Sequence, residues 1–220
     1  MKHEGLDADA LATRDVYRLM TDLVAPRPIA WISTLSTSGG LNLAPYSYFQ
    51  AISSNPPTVV VGMGWRSDGR PKDTLRNVLD TREFTVSHVS EALVEPMNAS
   101  SADYEPEDDE AAALGVEMAP STRVAPPRVA AALASLECRM EQAIPLGWNR
   151  RGNSPSTTLV IARVVHFSVA EGLIRRNEAG HLHSIPAAEL EAVGRLGGIG
   201  YTSTSGRFEL ARPSAPERKS

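Results

Sequence analysis

Strand-forming segments in this chain follow one another as neighbours instead of alternating one-for-one with helices. That ordering limits the fold more than any other feature. Residues 29–36 are short and rich in β formers, and they run into a Ser/Thr/Gly turn over residues 36–40. Residues 41–53 read as a second extended run. Within it Pro45 needs a bulge or an edge position, because proline cannot donate to a ladder. After the Pro56-Pro57 break, residues 58–63 are Val-rich enough to be buried on both faces. Further strands are expected at 84–89, 134–144, 157–169 and 201–204, the third of these long and strongly β-branched. Helical spacing appears only in short stretches, at 16–24, 72–80, 91–100 and 186–193. The sum is a mainly β fold, barrel or sandwich, with peripheral short helices rather than a doubly wound parallel sheet.

One domain is expected over residues 1–205, followed by a charged, Pro-bearing tail at 206–220. Between the strand-rich halves, residues 101–128 form a long connection, acidic over 104–110 and interrupted by Pro120, Pro126 and Pro127. A short helix is expected within it at 109–114, stopped by Gly115. A connection this long inside a domain is usually functional or disordered.

Composition excludes several functions. The net charge of -4 argues against non-specific nucleic-acid binding, which needs a concentrated positive surface. Aromatic residues at 5% leave few members for a stacking platform on single strands. The single cysteine, Cys138, allows no internal disulfide and no cysteine-based zinc cluster, and a buried thiol is its expected role. No apolar run approaches the roughly 20 residues that cross a bilayer, and the polar start lacks a secretory pattern, so a cytoplasmic protein is expected.

Two segments can carry chemistry. Residues 65–77 run from the end of a buried strand, through a basic loop with Arg66, Arg70 and Lys72, into a helix start where Asp73 or Thr74 can cap. Cationic side chains beside outward-pointing helix amides are the parts of a phosphate site, and equally of a plain capped helix with a solvated loop. Residues 33–47 hold hydroxyls at Ser33, Thr34, Ser36, Thr37 and Ser38, then Asn42, Ala44 and Ser47. They suit the polar edge of a ligand, and equally an ordinary hairpin turn. His88 and His166 fall in strands as packed residues, and His181 with His183 lack the further ligands a metal needs. No dinucleotide fingerprint or P-loop follows a strand, and no nucleophile elbow occurs.

Taken in order, Arg27-Pro28-Ile29-Ala30-Trp31-Ile32-Ser33-Thr34, Asn42-Leu43-Ala44-Pro45-Tyr46-Ser47-Tyr48-Phe49, Pro56-Pro57, Lys72-Asp73-Thr74 with Asn77, and Glu83-Phe84-Thr85-Val86 resemble the flavin reductase-like, FMN-binding split-barrel family. The resemblance spans roughly residues 17–201. It implies an antiparallel six-stranded split barrel of Greek-key character with flanking helices, assembled as a homodimer. It implies FMN, or FAD, as the cofactor and NAD(P)H as co-substrate. The implied activity is NAD(P)H-dependent flavin reduction that can supply a partner monooxygenase. The alternative within the family is a flavoredoxin-like electron carrier with no nicotinamide site of its own. By the same resemblance the flavin phosphate sits on the helix start at Lys72, Asp73 and Thr74 with Arg66 or Arg70, Asp73 orienting its neighbours. The ring lies along Asn42, Leu43, Ala44 and Ser47; Ser33 and Thr34 reach the ribityl or phosphate, and Trp31 packs beside the ring or in the core. No protein group is assigned as catalytic, since a flavin carries hydride chemistry itself and the protein orients and tunes it; His166 stands either packed in its strand or near the nicotinamide.

Overall fold

The computed structural model describes residues 1–105, 108–148 and 154–212. In chain order the strands are β1 (Arg27–Pro28), β2 (Ala30–Leu35), β3 (Leu41–Tyr46), β4 (Phe49–Ser54), β5 (Pro57–Gly64) and β6 (Glu83–Ser87). They continue as β7 (Met118–Ala119), β8 (Arg128–Val129), β9 (Ala134–Leu146), β10 (Thr157–Val169), β11 (Val193–Arg195) and β12 (Tyr201–Ser203). The helices are α1 (Thr13–Leu23), α2 (Asp73–Thr81), α3 (Val94–Ala99), α4 (Glu110–Ala113) and α5 (Ala187–Leu190).

Seven strands form the main sheet in the order β3-β2-β6-β9-β10-β5-β4, every pairing antiparallel. A smaller sheet, β1-β11-β12, and a ribbon, β7-β8, flank it. The run at 41–53, expected as one strand, breaks at Ser47-Tyr48 into β3 and β4, which lie at opposite ends of the strand order. Two residues join the sheet's first strand to its last, so the sheet must curl back on itself there. Gly62 of β5 permits the approach: its N–H donates to the Tyr48 carbonyl at 2.7 Å, and a Cβ at 62 would stand 3.1 Å from the Tyr48 Cβ. Pro45 lies in β3, which pairs with β2 alone, so its missing donor falls where an edge strand tolerates it.

Strand alternation divides the core. Ile32, Val61, Phe84, Val86, Cys138 and Val160 point to the inner face and pack with Leu75 and Val78 of α2. Trp31 and Leu43 point the other way, into a second cluster with Met97 of α3, Ala111 of α4 and Val129 of β8. The expectation that 58–63 is buried on both faces is corrected: Val59, Val61 and Met63 are buried, while Val60 and Gly62 between them are half-buried.

The 101–128 connection is partly an outer layer of the sheet. Ser33 of β2, Thr85 of β6 and Glu137 of β9 stand in one row across three paired strands. The Ser33 hydroxyl donates to the Pro127 carbonyl, and Thr85 Oγ1 donates to the Pro126 carbonyl at 2.8 Å. Glu137, fully buried, accepts from the Thr122 and Arg123 amides at 2.8 and 2.5 Å. Prolines leave this segment short of backbone donors, and the polar row serves the groups that remain. The short helix expected there forms as α4, with the Asp109 side chain accepting the Ala112 amide at 2.9 Å and Gly115 at φ +66° ending it.

Candidate functional site

A cleft of about 530 Å³ opens between β3, the loop leading into α2, and the chain that leaves α3. Its walls bring together Asn42, Ala44, Arg66, Lys72, Asp73 and Thr74, from two segments about thirty residues apart in sequence. Tyr46, Ser101, Tyr104 and Glu110 complete it.

The start of α2 forms the floor. The N-cap residue is Lys72, with extended backbone and no side-chain capping bond, so the expected cap by Asp73 or Thr74 does not form. Asp73 sits inside the first turn, and its carboxylate is held by Arg66 on one oxygen and by Arg76 at 2.8 Å on the other. The first amides of α2 are therefore not taken by a capping side chain and carry the partial positive charge of a helix start. Lys72 is exposed and makes no ion pair among the described residues. Arg70 is not part of the cleft wall; it pairs with Asp68 at 2.8 Å on the outside of the loop.

The opposite wall is the edge strand β3. Asn42 Nδ2 donates to Thr74 Oγ1 at 2.8 Å and ties the strand to the helix. Burial pushes the Tyr46 phenol up to about 12, with a hydrogen bond to Thr74 acting the other way, so its hydroxyl keeps its proton at neutral pH. Glu110, buried at the start of α4, accepts the Leu43 amide on Oε2 at 2.9 Å. Burial raises its carboxyl above the ordinary range, and the hydrogen bond from Leu43 offsets part of that.

Five of the expected contact residues stand elsewhere. Trp31 is fully buried, and its indole N–H donates to Ser100 Oγ at 2.9 Å, so it packs in the core. Ser33 is fully buried on the proline segment described above. Thr34 is fully buried and accepts from Asn77 Nδ2 at 3.1 Å. The Leu43 side chain belongs to the second core cluster. Ser47 lines a separate cavity of about 150 Å³ beside Arg195 and Tyr201, and its Oγ accepts from Arg27 Nε at 3.4 Å. His166 lies on β10 and is not in the cleft wall. Sequence reasoning missed Tyr46, Tyr104 and Glu110. Tyr46 could have been found, being two residues beyond Ala44 on the same strand; the acid at 110 reaches the cleft only through the fold.

Residues 23–185 match the family model described as flavin reductase like domain. The chain belongs to this flavin reductase-like family. An uncharacterized protein of Deinococcus radiodurans is 42% identical over 96% of this chain and 91% of its own. Among solved structures, nitrilotriacetate monooxygenase component B from Bacillus cereus is 34% identical, covers 96% of this chain and all (100%) of its own, and has a TM-score of 0.86. The 2-nitrobenzoate 2-nitroreductase of Pseudomonas fluorescens is 30% identical, with 98% and 100% covered and a TM-score of 0.82. Membership of the flavin reductase-like family makes the chain an oxidoreductase-type protein with capacity for FMN. Among the described residues, no helix is long and apolar enough to cross a membrane.

Proposed function

We propose that this chain holds FMN in the 530 Å³ cleft and reduces it with NAD(P)H. The observation that carries this reading is the meeting of a helix start without a side-chain cap, flanked by Lys72, which makes no ion pair among the described residues, with the edge strand at Asn42 and Ala44. A phosphate suits the first, since free amides and an ammonium converge there. A flat ring with a polar rim suits the second, since an edge strand leaves a row of C=O groups unpaired by the sheet, while the Leu43 N–H is taken by Glu110 and Pro45 has none. Arg66, Lys72 and the Thr74 amide would hold the phosphate end; Asp73 sets the two arginines, and Asn42 and Ala44 face the ring. When bound, FMN would supply the hydride and electron chemistry, which these residues would orient. Tyr46 and Glu110 line the cleft and shape its polarity. FAD shares the FMN half and fits the same reading.

The final acceptor in this reading is a partner monooxygenase, supported by the relative that is named as a monooxygenase component. The assembly is a homodimer. Tyr17, Met20, Leu23 and Val24 of the α1 region and Ile52 of β4 are all more than half or about half exposed, an apolar face that a second copy would cover. The curled sheet is read as a closed split barrel, and the domain as residues 1–205; of the tail at 206–220, residues 213–220 lie outside the described residues.

The test is an anaerobic visible spectrum of the protein loaded with FMN, followed by NADH or NADPH. Bleaching of the flavin bands is expected. Bands that persist would turn the assignment to a flavoredoxin-like electron carrier, and a protein that binds no FMN would overturn it.

A further inference from the structure

The short strands β1 and β11 pair antiparallel with Arg27 directly opposite Arg195. Like charges in that register repel and weaken a strand pair unless something neutralises them. Neither guanidinium meets a carboxylate among the described residues. Arg27 is 6% exposed and is held by neutral groups: the Thr21, Val24 and Leu196 carbonyls at 2.6, 2.9 and 3.0 Å, and Ser47 Oγ at 3.4 Å. Arg195 donates to the Gly198 and Gly200 carbonyls at 2.6 and 3.1 Å and lies over the Tyr201 ring, 4.4 Å from its centroid. The Tyr201 hydroxyl is in turn fixed to Asn98 Oδ1 at 2.7 Å. The Asp22 carboxylate stands where a Cβ on Gly197 would fall, and it pairs with neither arginine. The cationic pair is thus rigidly placed and uncompensated, a cost that an anion beside it would offset.

Both arginines lead to one space. The cavity of about 150 Å³ is lined by Arg195 and by Ser47, through which Arg27 reaches it. The two carbonyl bonds of Arg195 leave donors of its guanidinium unspent, and Ser47, accepting from Arg27, keeps its own proton to donate. Ile29, Pro45 and Met97 supply an apolar side, and no described residue lining the cavity is acidic. Its volume is of the order that holds a single benzene-sized ring. Pro45, Tyr46 and Ser101 belong to this cavity and to the cleft alike.

We propose that this cavity binds a small organic acid, its carboxylate on the Arg195 fork and the Ser47 hydroxyl and its ring or short hydrocarbon body against Ile29, Pro45 and Met97. A planar guanidinium matches the two oxygens of a carboxylate, and the apolar side favours a body that an inorganic anion lacks. The site stands on the arginine pair and needs no flavin, so it goes beyond the reading of the cleft. The shared wall sets a bound acid beside a ligand of the cleft.

Benzoate is the probe, titrated by calorimetry against the full chain, Arg195→Gln, Arg195→Lys and Ser47→Ala, with benzamide and inorganic phosphate as comparison ligands and FMN titrated in parallel. Benzoate is expected to bind the unmodified chain at one site. Arg195→Gln should weaken it roughly ten- to a hundredfold, the range for hydrogen bonds to a charged group, and benzamide should bind the unmodified chain weakly to a similar degree. Arg195→Lys should keep part of the affinity, since it restores the charge without the fork. FMN affinity should be the same in Arg195→Gln as in the unmodified chain. Ser47→Ala, which leaves the carbonyl bonds of Arg195 in place, should also weaken benzoate and decides the matter if Arg195→Gln does not fold. Benzoate that does not bind, that binds Arg195→Gln and Ser47→Ala as well as the unmodified chain, or that is matched by benzamide or by phosphate overturns the proposal. A parallel loss of FMN would give the cavity to the cleft's ligand and overturn it too. If FMN fails to bind the unmodified chain the flavin reading falls, and the benzoate titrations still decide this cavity.

Discussion

Asn42 and Thr74, thirty-two residues apart, are joined by a buried hydrogen bond of 2.8 Å that fastens the edge strand β3 to the first turn of α2. In that bond Thr74 Oγ1 is the acceptor, so Asn42 does not use the Thr74 O–H proton. Asn42→Ala is expected to lower stability by about 1–2 kcal/mol in urea unfolding and to weaken FMN as well, because it frees both walls at once. Lys72→Ala is expected to separate the two effects. It should weaken FMN by about 1.5–3 kcal/mol, the range for a hydrogen bond to a charged group, with the urea midpoint unchanged. Equal FMN affinity of Lys72→Ala and the unmodified chain would move the phosphate elsewhere.

Glu110 predicts a pH dependence. Its carboxyl is raised in the folded chain, chiefly by burial, so the folded state holds this proton to higher pH than the unfolded state does. Between the unfolded value near 4.5 and the raised folded value, the folded state binds more protons, and this group's contribution to stability falls as pH rises. Glu110→Gln keeps an acceptor for the Leu43 amide and removes the ionisation. Its unfolding free energy relative to the unmodified chain should therefore rise from pH 4.5 to pH 8, and a difference independent of pH would refute the assignment.

Glu137 is the anchor of the proline segment. Glu137→Gln turns one of two acceptor oxygens toward a backbone donor as an amide, leaving a buried N–H without a partner. The expected cost is about 1–3 kcal/mol. Hydrogen exchange should accelerate at Thr122 and Arg123 while the β9–β10 ladder stays protected. Uniform acceleration would show that the segment and the sheet open together.

Cys138 lies fully buried in the inner core, and burial pushes its thiol well above the ordinary range. A thiol-reactive disulfide dye is expected to leave the native chain unmodified for hours and to label one thiol per chain at once in denaturant. Rapid labelling of the native chain would place β9 in exchange with an open form.

The strand ladder was legible because it is local. Residues 157–169 read as a strand from β-branching alone, and β10 has those bounds. The helix at Lys72-Asp73-Thr74 and the hydroxyl-rich hairpin were legible for the same reason. The burial of Ser33, Thr34 and Trp31 was not. Ser33 and Thr34 looked like contact residues beside Asn42, and Trp31 was open between ring and core, yet register decides whether a strand residue faces the core, the proline segment or the cleft, and a shift of one position reverses it. Ser47 lies outside the cleft wall because the run holds two strands, and of the two residues between them Ser47 accepts from Arg27.

What the sequence determined by itself was the kind of most elements, the family, and the two segments that line the cleft, since periodicity, turn residues and motif order are properties of neighbours along the chain. Only the tertiary structure decided which of those side chains share a cavity. It placed Tyr46, Tyr104 and Glu110 in the wall, set Asp73 between two arginines, and laid Arg27 opposite Arg195. These are contacts between residues far apart in sequence, made when the sheet curls and its outer face is covered, and no local pattern encodes the partner of a side chain across such a gap.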